Sequence, residues 1–235
     1  MNVFITGNSS GLGLGLTAYY LAQGDSVFGL SRRGCALDHP NLRDTKLDLM
    51  DSEAYSDALT ELLSGVSEIS IAILNAGILG DIKSMQDTEI CDLEKIMQVN
   101  VWSNKLLMDW LIQNNVAVDQ LILISSGASV NGGYGWSGYS MSKAALNMLA
   151  QLYAHEMPDT HVTSLAPGVI DTYMQETIRN PGLVDAERFP SFNTLRELKT
   201  TGNMPDVDTA ARNIASRLHE LKSFKSGSFQ DIRQI

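Results

Sequence analysis

The stretch that decides the fold is residues 2–13, which read NVFITGNSSGLG. A short run rich in β-favouring residues ends at Gly7, and Gly11 and Gly13 follow just before an apolar segment of helical length. A strand, a glycine-rich turn and a helix in this order let the backbone approach a pyrophosphate, at which the first helical amides point. The stretch therefore predicts a dinucleotide-binding turn at the start of an α/β fold.

Strands and helices alternate from this turn to about residue 165. We predict strands over 2–6, 26–30, 44–49, 68–74, 119–125 and 161–165. We predict helices over 12–23, 52–63 with Ser52 as its cap, 87–113 and 139–155. Such alternation is typical of βαβ units, and the near-continuous apolar strands fit a sheet covered on both faces. We expect one domain over residues 1–235, a three-layer α/β/α Rossmann fold with a doubly wound parallel sheet.

Residues 171–205 interrupt this regular pattern. Proline and glycine break the segment at Pro181, Gly182, Pro190, Gly202 and Pro205. It follows a strand end, where ligands bind in open α/β sheets, so we predict a lid over the substrate; an ordinary surface excursion is the alternative. A last helix over 206–221 and an edge strand over 227–232 complete the prediction.

The composition is that of a globular protein that binds a small molecule. The formal net charge is −10 and hydrophobic residues make up 44% of the chain, which argues against a nucleic-acid surface and against disorder. Two distant cysteines, Cys35 and Cys91, suit neither a metal site nor a disulfide framework. With no signal peptide and no long apolar run in the sequence, we expect a cytoplasmic protein without membrane or nucleic-acid partners.

The end of the second strand favours a phosphorylated cofactor. Ser31 stands where an acidic residue would bind the free ribose hydroxyl of NAD, and Arg32 and Arg33 follow. Arginine suits the extra phosphate of NADP(H), although both arginines are also compatible with solvated surface charges. We therefore predict NADP(H) and keep NAD(H) as the alternative.

Tyr139 and Lys143 are four residues apart, so on a helix they share one face. A free tyrosine has a pKa near ~10 and is a poor proton donor at neutral pH, whereas a neighbouring cation stabilises the phenolate. We expect Lys143 to lower the pKa of Tyr139. The pair alone is common in helices, so its meaning depends on the surrounding motifs.

Four further motifs accompany this pair in order along the chain. They are Asn75-Ala76-Gly77 after a strand, Asn100 within the long helix, Ser126 thirteen positions before Tyr139, and the stretch Pro167-Gly168-Val169-Ile170-Asp171-Thr172. Together with the glycines they resemble the short-chain dehydrogenase/reductase family over nearly the whole chain. The resemblance implies a homodimer, with a tetramer as the alternative, that pairs through the helices predicted over 87–113 and 139–155.

The resemblance also implies catalytic roles. Tyr139 would protonate the carbonyl oxygen as hydride arrives, and Ser126 would hold that oxygen, with Ser125 as the neighbouring candidate. Lys143 would hold the nicotinamide ribose, and Asn100 would hold a water between Lys143 and solvent. Asn100 is also compatible with a helix kink.

The implied cofactor contacts lie at the carboxyl ends of the strands. Asp48 would meet the adenine, and Val169 and Thr172 the carboxamide, although Thr172 also fits a helix cap and Asn75 a turn. Many NADP-using members carry a basic residue where this chain has Ser10, so the phosphate would depend on the two arginines. The full set is Gly7, Asn8, Ser9, Ser10, Gly11, Leu12, Gly13, Ser31, Arg32, Arg33, Asp48, Leu49, Asn75, Ala76, Gly77, Tyr139, Lys143, Pro167, Gly168, Val169 and Thr172.

Residues 168–179, 198–205 and 226–231 resemble the sepiapterin reductase and benzil reductase branch of the family, which reduces vicinal dicarbonyls. An aspartate near the position of Asp231 anchors the pterin in sepiapterin reductases, but the same ending also fits a plain edge strand. The candidate substrate residues are Tyr134, Trp136, Tyr173, Met174 and Asp231, with Phe189 as a further aromatic; core or dimer contacts are their alternative.

Three functions are compatible with the sequence. The first is an NADPH-dependent reductase of a ketone or vicinal dicarbonyl. The second is an NAD(P)-dependent alcohol, hydroxysteroid or 3-oxoacyl dehydrogenase/reductase, and the residues at 31–33 discriminate between cofactors. The third is a catalytically idle nucleotide-binding protein for signalling or scaffolding, against which the intact Ser126, Tyr139, Lys143 and Asn100 argue.

Overall fold

A computed structural model describes residues 1–180, 187–189 and 191–235. Within these residues one sheet of seven parallel strands has the order β3-β2-β1-β4-β5-β6-β7. The strands are β1 (Asn2–Thr6), β2 (Ser26–Ser31), β3 (Leu42–Lys46), β4 (Glu68–Leu74), β5 (Ala117–Ile124), β6 (His161–Ala166) and β7 (Ser228–Asp231). The predicted doubly wound α/β fold is confirmed.

Helices cover both faces of the sheet. They are α1 (Gly11–Ala22), α2 (Tyr55–Leu62), α3 (Ile90–Met97), α4 (Ser103–Gln113), α5 (Ser137–Glu156), α6 (Tyr173–Arg179), α7 (Ser191–Thr200) and α8 (Val207–Arg217). Successive strand side chains point to opposite faces, so Phe4 packs in the core beneath α2, α4 and α5, while Val3 and Ile5 pack beneath α1 and α8. Gly15 lets α1 and α8 approach, because a Cβ there would lie 2.5 Å from Val207 Cγ1.

The strand order reverses at β1, which lies between β2 and β4. From β1 the chain continues to β2 and β3 on one side, and it then returns to β4 on the other side of β1. This change of direction opens a crevice at the carboxyl ends of β1 and β4. The glycine turn follows β1, Asn75 follows β4 and Ser31 is the last residue of β2, so all three lie where these strands end at the crevice.

The third strand and the helix after it differ from their predictions. The strand is Leu42–Lys46 and not 44–49, because Asp48 forms a turn in which its Oδ1 accepts from Met50 N at 3.0 Å. Ser52 does not cap the helix, which begins at Tyr55; Asp51 Oδ1 accepts instead from the amides of Glu53 and Ala54, each at 3.3 Å.

The single helix predicted over 87–113 is interrupted. A 3-10 turn over Met85–Asp87 precedes α3, and a π-helical segment over Gln98–Trp102 separates α3 from α4. The cause lies at Asn100, whose side chain bonds the backbone of Ile78 instead of facing solvent. The last helix is also shorter than predicted, since α8 ends at Arg217 and a 3-10 turn continues over Leu218–Ser223.

The segment predicted as a lid contains α6 and α7, and the predicted breaks at Pro181, Gly182 and Pro190 lie outside the described residues. Asp171 links its two helices, because it pairs with Arg179 at 2.8 Å and also with Lys199. The amide of Asp171 donates to Pro205 O at 2.9 Å, so the ends of the segment are joined. Among the helices of the described ranges, none combines the length and the apolar character that crossing a membrane requires.

Candidate active site

The glycine turn between β1 and α1 is shaped by close backbone contacts. Gly7 and Gly11 have φ values of +71° and +55°, which favour glycine. A Cβ on Gly13 would lie 2.3 Å from the carbonyl oxygen of Gly7, so only glycine allows α1 to start there. The turn therefore leaves the helical amides accessible at the crevice.

Asn75 braces this turn from the end of β4. Its Nδ2 donates to Thr6 O at 3.0 Å, while Thr6 Oγ1 accepts from the amides of Asn75 and Ala76, both at 3.0 Å. These bonds link β1 and β4 where the strand order reverses. Asn75 thus holds the shape of the turn.

Two buried polar atoms beside the turn make no hydrogen bond with any described residue, namely Asn8 Oδ1 and Ser31 Oγ. The other end of the Asn8 side chain donates to Asp44 Oδ1 at 2.7 Å, so Asp44 fixes the orientation of this side chain. Unpartnered buried polar atoms fit a polar ligand that would complete them. The crevice is therefore chemically suited to the adenosine portion of a dinucleotide.

Cations stand at the same end of the crevice despite the acidic composition. Arg33 Nη2 donates to Ser10 Oγ at 2.8 Å, which ties the exposed guanidinium to the glycine turn; Arg32 beside it is also exposed. Asp48 is exposed and Leu49 is buried, and Leu49 O accepts from Tyr55 OH at 3.0 Å.

Tyr139 and Lys143 both lie on α5 and face the crevice end of β5. Lys143 is 3% exposed, donates to Ile124 O at 2.7 Å and lies 5.7 Å from the centre of the Tyr139 ring. Burial lowers the pKa of Lys143 to about 8. The bond to Ile124 O holds the ammonium in place, and no carboxylate of the described residues pairs with it.

The pKa of Tyr139 shifts in the direction opposite to our expectation. Burial raises the pKa of the phenol, and a hydrogen bond with Ser126 opposes that rise. Burial outweighs the bond with Ser126, and the lowering that we expect from Lys143 stays a prediction, because Lys143 is not among the groups that cause this shift. Tyr139 consequently stays protonated at neutral pH and can donate its proton.

The two candidate serines have different partners. Ser125 is 2% exposed and donates to Asn147 Oδ1 at 2.6 Å, so its hydroxyl is committed to the core. Ser126 is partly buried, accepts from the amide of Ala128 at 3.1 Å and lies beside Tyr139. Only Ser126 can hold the same ligand oxygen as Tyr139.

Asn100 connects the loop after β4 to α5. Its Oδ1 accepts from Ile78 N at 2.8 Å, and its Nδ2 donates to Ile78 O and Ser142 Oγ, both at 2.9 Å. Gly77 fits closely here, since a Cβ on it would lie 3.2 Å from Asn100 Oδ1 and 3.4 Å from Lys143 Nζ. The side chain of Asn100 is thus used to assemble the site.

Asn147, which our sequence analysis missed, fixes the serine loop to α5. It accepts from Ser125 and donates to Ser129 Oγ at 2.8 Å, and Ser129 Oγ donates to Ser126 O at 2.6 Å. Asn147 lies four residues after Lys143, so helical periodicity was the signal that could have found it.

Aromatic side chains form a wall beside Tyr139. The Trp136 ring lies 5.8 Å from the Tyr139 ring and stacks on Phe192 at 4.7 Å, while Tyr134 lies 4.9 Å from Phe189. Met174 packs against the cluster that contains Phe189 and Phe192. Tyr173 is 80% exposed and stands outside this wall, unlike Tyr134, Trp136 and Met174.

The loop after β6 reaches the glycine turn. Pro167, Gly168 and Val169 are partly exposed, and Thr172 Cγ2 lies 3.4 Å from where a Cβ on Gly11 would be. Thr172 occupies the cap position of α6, but its side chain makes no capping bond. Its side chain therefore lies beside the glycine turn without stabilising the start of α6. Asp231, at the end of β7, pairs with Arg233, a residue our sequence analysis also missed.

Comparisons with known proteins agree with this geometry. The family profile described as short chain dehydrogenase matches residues 1–182. The benzil reductase ((S)-benzoin forming) of Bacillus subtilis is 31% identical over 98% of both chains. The sepiapterin reductase of Rattus norvegicus is 30% identical over 98% of this chain and 95% of its own.

Solved structures share the fold. The YIR035C short chain dehydrogenase/reductase of Saccharomyces cerevisiae superposes with a TM-score of 0.81 at 21% identity, over 98% of this chain and 95% of its own. ElxO with NADP bound has a TM-score of 0.78 at 20% identity, over 98% of this chain and 96% of its own.

Proposed function

Because the chain belongs to the short-chain dehydrogenase family of oxidoreductases, which act on CH–OH and C=O groups, we propose that it reduces a ketone or vicinal dicarbonyl with NADPH. The observation that carries the proposal is the convergence of Ser126, Tyr139 and Lys143 at the crevice that starts with the glycine turn. The similarity to benzil and sepiapterin reductases supports a dicarbonyl as substrate.

In this proposal, Tyr139 and Ser126 both contact the oxygen of the substrate carbonyl. Ser126 donates a hydrogen bond that fixes the oxygen, and Tyr139 transfers its proton to it as the carbonyl carbon is reduced. Tyr139 is protonated at neutral pH, but its raised pKa makes it a weaker acid, so the proton transfer requires a group that stabilises the phenolate. Lys143 then stabilises the phenolate with its charge, at a ring distance of 5.7 Å.

The bound nicotinamide supplies the hydride for this step. The glycine turn with Gly7, Asn8, Ser9, Ser10, Gly11, Leu12 and Gly13 would hold the pyrophosphate, and Asn75, Ala76 and Gly77 would support the adenosine side. Lys143 would also bind the nicotinamide ribose, and the loop from Pro167 to Thr172 the carboxamide. The unpartnered atoms of Asn8 and Ser31 support a polar ligand in this crevice.

The preference for NADPH over NADH is part of the proposal. Many NADP-using members have a basic residue at the position of Ser10. In this chain Arg33 donates to Ser10, so a cation stands at the same place although it comes from another position. Arg32, Asp48 and Leu49 complete the adenosine end. The free thiols of Cys35 and Cys91 fit the cytoplasmic location that we also propose.

The substitution Tyr139→Phe tests the proposed function. We expect turnover of a vicinal diketone to fall by about 10²–10⁴-fold, because the proton donor is removed, while NADPH affinity changes little. Steady-state kinetics and NADPH fluorescence titration measure the two effects. Retained turnover would refute the acid role, and a wild-type protein that binds NADPH but reduces none of a panel of ketones, diketones and pterins would support an idle nucleotide-binding protein.

A further inference from the structure

Arg233, which directly follows β7, reaches the loop that carries Ser126. Its Nη2 lies 3.9 Å from where a Cβ on Gly127 would be, and its Cγ and Cδ lie 3.9 and 3.8 Å from the same position on Gly168. The Arg233 side chain is 61% exposed. A cation therefore stands in contact with the catalytic serine loop on one side and with the loop after β6 on the other.

Asp231 fixes the orientation of this cation. Arg233 donates from Nε to Oδ1 at 2.9 Å, from Nη2 to Oδ2 at 2.5 Å, and from its backbone amide to Oδ1 at 3.0 Å. The Asp231 side chain is only 9% exposed, and the pairing with Arg233 lowers the pKa of its carboxyl. Both carboxylate oxygens are thus occupied, so a ligand at this rim meets the guanidinium first.

The guanidinium keeps donors available. Arginine has five N–H groups, and Nη1 of Arg233 makes no hydrogen bond with a residue of the described ranges, since the bonds of this guanidinium come from Nε and Nη2. A donor fixed beside Gly127, the residue that follows Ser126, would favour a substrate with an acceptor atom next to the reacting oxygen. A ligand that presents only N–H donors to Arg233 would place donor against donor, which disfavours binding.

We propose that Arg233 determines substrate specificity by donating to a second oxygen vicinal to the carbonyl that is reduced. This inference rests on the proposed reductase function and narrows its substrate class. The preferred substrates then carry a vicinal carbonyl or carboxylate, and simple monoketones are poorer. The hydride and the proton come from the same donors as in the proposed reaction, so this inference needs no additional reactant.

A matched pair of substrates tests the inference. Benzil and deoxybenzoin have the same two phenyl rings and differ in the second carbonyl oxygen, and phenylglyoxylate offers a carboxylate at that place. In Arg233→Ala we expect the ratio of kcat/KM for benzil to that for deoxybenzoin to fall about tenfold, because a charge-assisted hydrogen bond is lost. A larger loss with phenylglyoxylate would support a carboxylate as the preferred acceptor, and a larger loss with benzil a carbonyl.

Three variants separate this effect from damage to the fold. The double variant Asp231→Asn/Arg233→Ala removes the unpaired buried carboxylate, so its melting temperature should recover while the ratio stays low. Arg233→Lys should recover only part of the ratio, and Arg212→Ala, which removes an exposed charge on α8, should leave it unchanged.

The outcomes also separate this inference from the proposed function. A wild-type enzyme that reduces benzil with NADPH, and whose ratio is unaffected by Arg233→Ala, overturns the role of Arg233 and leaves the reductase standing. If Arg233→Ala raises the KM for NADPH and leaves the benzil-to-deoxybenzoin ratio unchanged, Arg233 binds the cofactor, and its role in substrate specificity is overturned as well. Absence of NADPH-dependent reduction in the wild type overturns both.

Discussion

At the scale of single residues, burial decides the chemistry of the site more than charge pairing does. Lys143 and Tyr139 are close enough to interact, yet burial lowers the pKa of the first to about 8 and raises the pKa of the second. Both shifts favour the forms with fewer charges. The spacing of the two residues predicted their proximity but not the depth at which α5 places them.

The buried Lys143 predicts how reduction depends on pH. Lys143 loses its charge as the pH rises through about 8, whereas the raised pKa of Tyr139 keeps the phenol protonated at that pH. We therefore expect kcat/KM for a diketone to be constant at neutral pH and to fall about tenfold per unit above that pKa. Rates with saturating NADPH between pH 6 and 10 measure this. Lys143→Arg stays charged, so its profile should lose the fall; a fall that persists in this variant would contradict the assignment.

Arg33 and Arg32 give a second prediction at this scale. Because Ser10 positions Arg33 at the glycine turn, Arg33→Ala should raise the KM for NADPH about tenfold and that for NADH by less than about twofold. Arg32→Ala should act in the same direction. Arg212→Ala controls for the change in net charge, and equal effects on the two cofactors would refute the phosphate site.

At the scale of elements, long periodic segments were predicted well and their interruptions were not. Apolar periodicity identified the strands and helices, but the π-helical segment over Gln98–Trp102 depends on the bonds of Asn100 to Ile78, 22 residues earlier. Likewise, Asn147 and Arg233 gain their meaning from partners on other elements. A local pattern contains no information on such partners; it could have indicated only that Asn147 lies one helical turn after Lys143.

The glycine turn can be tested as an element. Gly13→Ala would place a Cβ 2.3 Å from Gly7 O, so the turn must open and the first amides of α1 must move. We expect the dissociation constant for NADPH to rise at least about tenfold and the free energy of unfolding to fall by about 1–3 kcal/mol. Gly132→Ala meets open space and serves as the control. Isothermal titration and urea denaturation measure both effects, and unchanged NADPH binding would contradict the role of the turn.

At the scale of the whole molecule, alternation of strands and helices was sufficient to predict a parallel doubly wound sheet. The order of the strands and the place where α6 and α7 pack depend on long-range contacts that the alternation does not contain. The resemblance to the family predicted the candidate site residues. The structure added which of their polar atoms already make hydrogen bonds within the protein.

Exposed apolar residues on one side of the molecule support the proposed homodimer. Trp102, Ile112, Met148 and Leu152 are 46%, 39%, 54% and 52% exposed, and all lie on the segment from Gln98 to Gln113 or on α5. We expect Leu152→Glu to convert a dimer into a monomer at micromolar concentration, measured by light scattering. Leu37→Glu, at an exposed leucine before β3, should leave the mass unchanged. A monomeric wild type would refute the dimer.

The order of the strands in the parallel sheet also affects how the chain folds during its synthesis. A ribosome releases the chain from residue 1 onward, so the glycine turn and β4 emerge long before β7 can pair with β6. Parallel pairing joins segments distant in sequence and is slow compared with helix formation. Because a domain generally folds as a unit, we expect the crevice at β1 and the contact of Arg233 beside the Ser126 loop to be completed together, only after β7 has emerged.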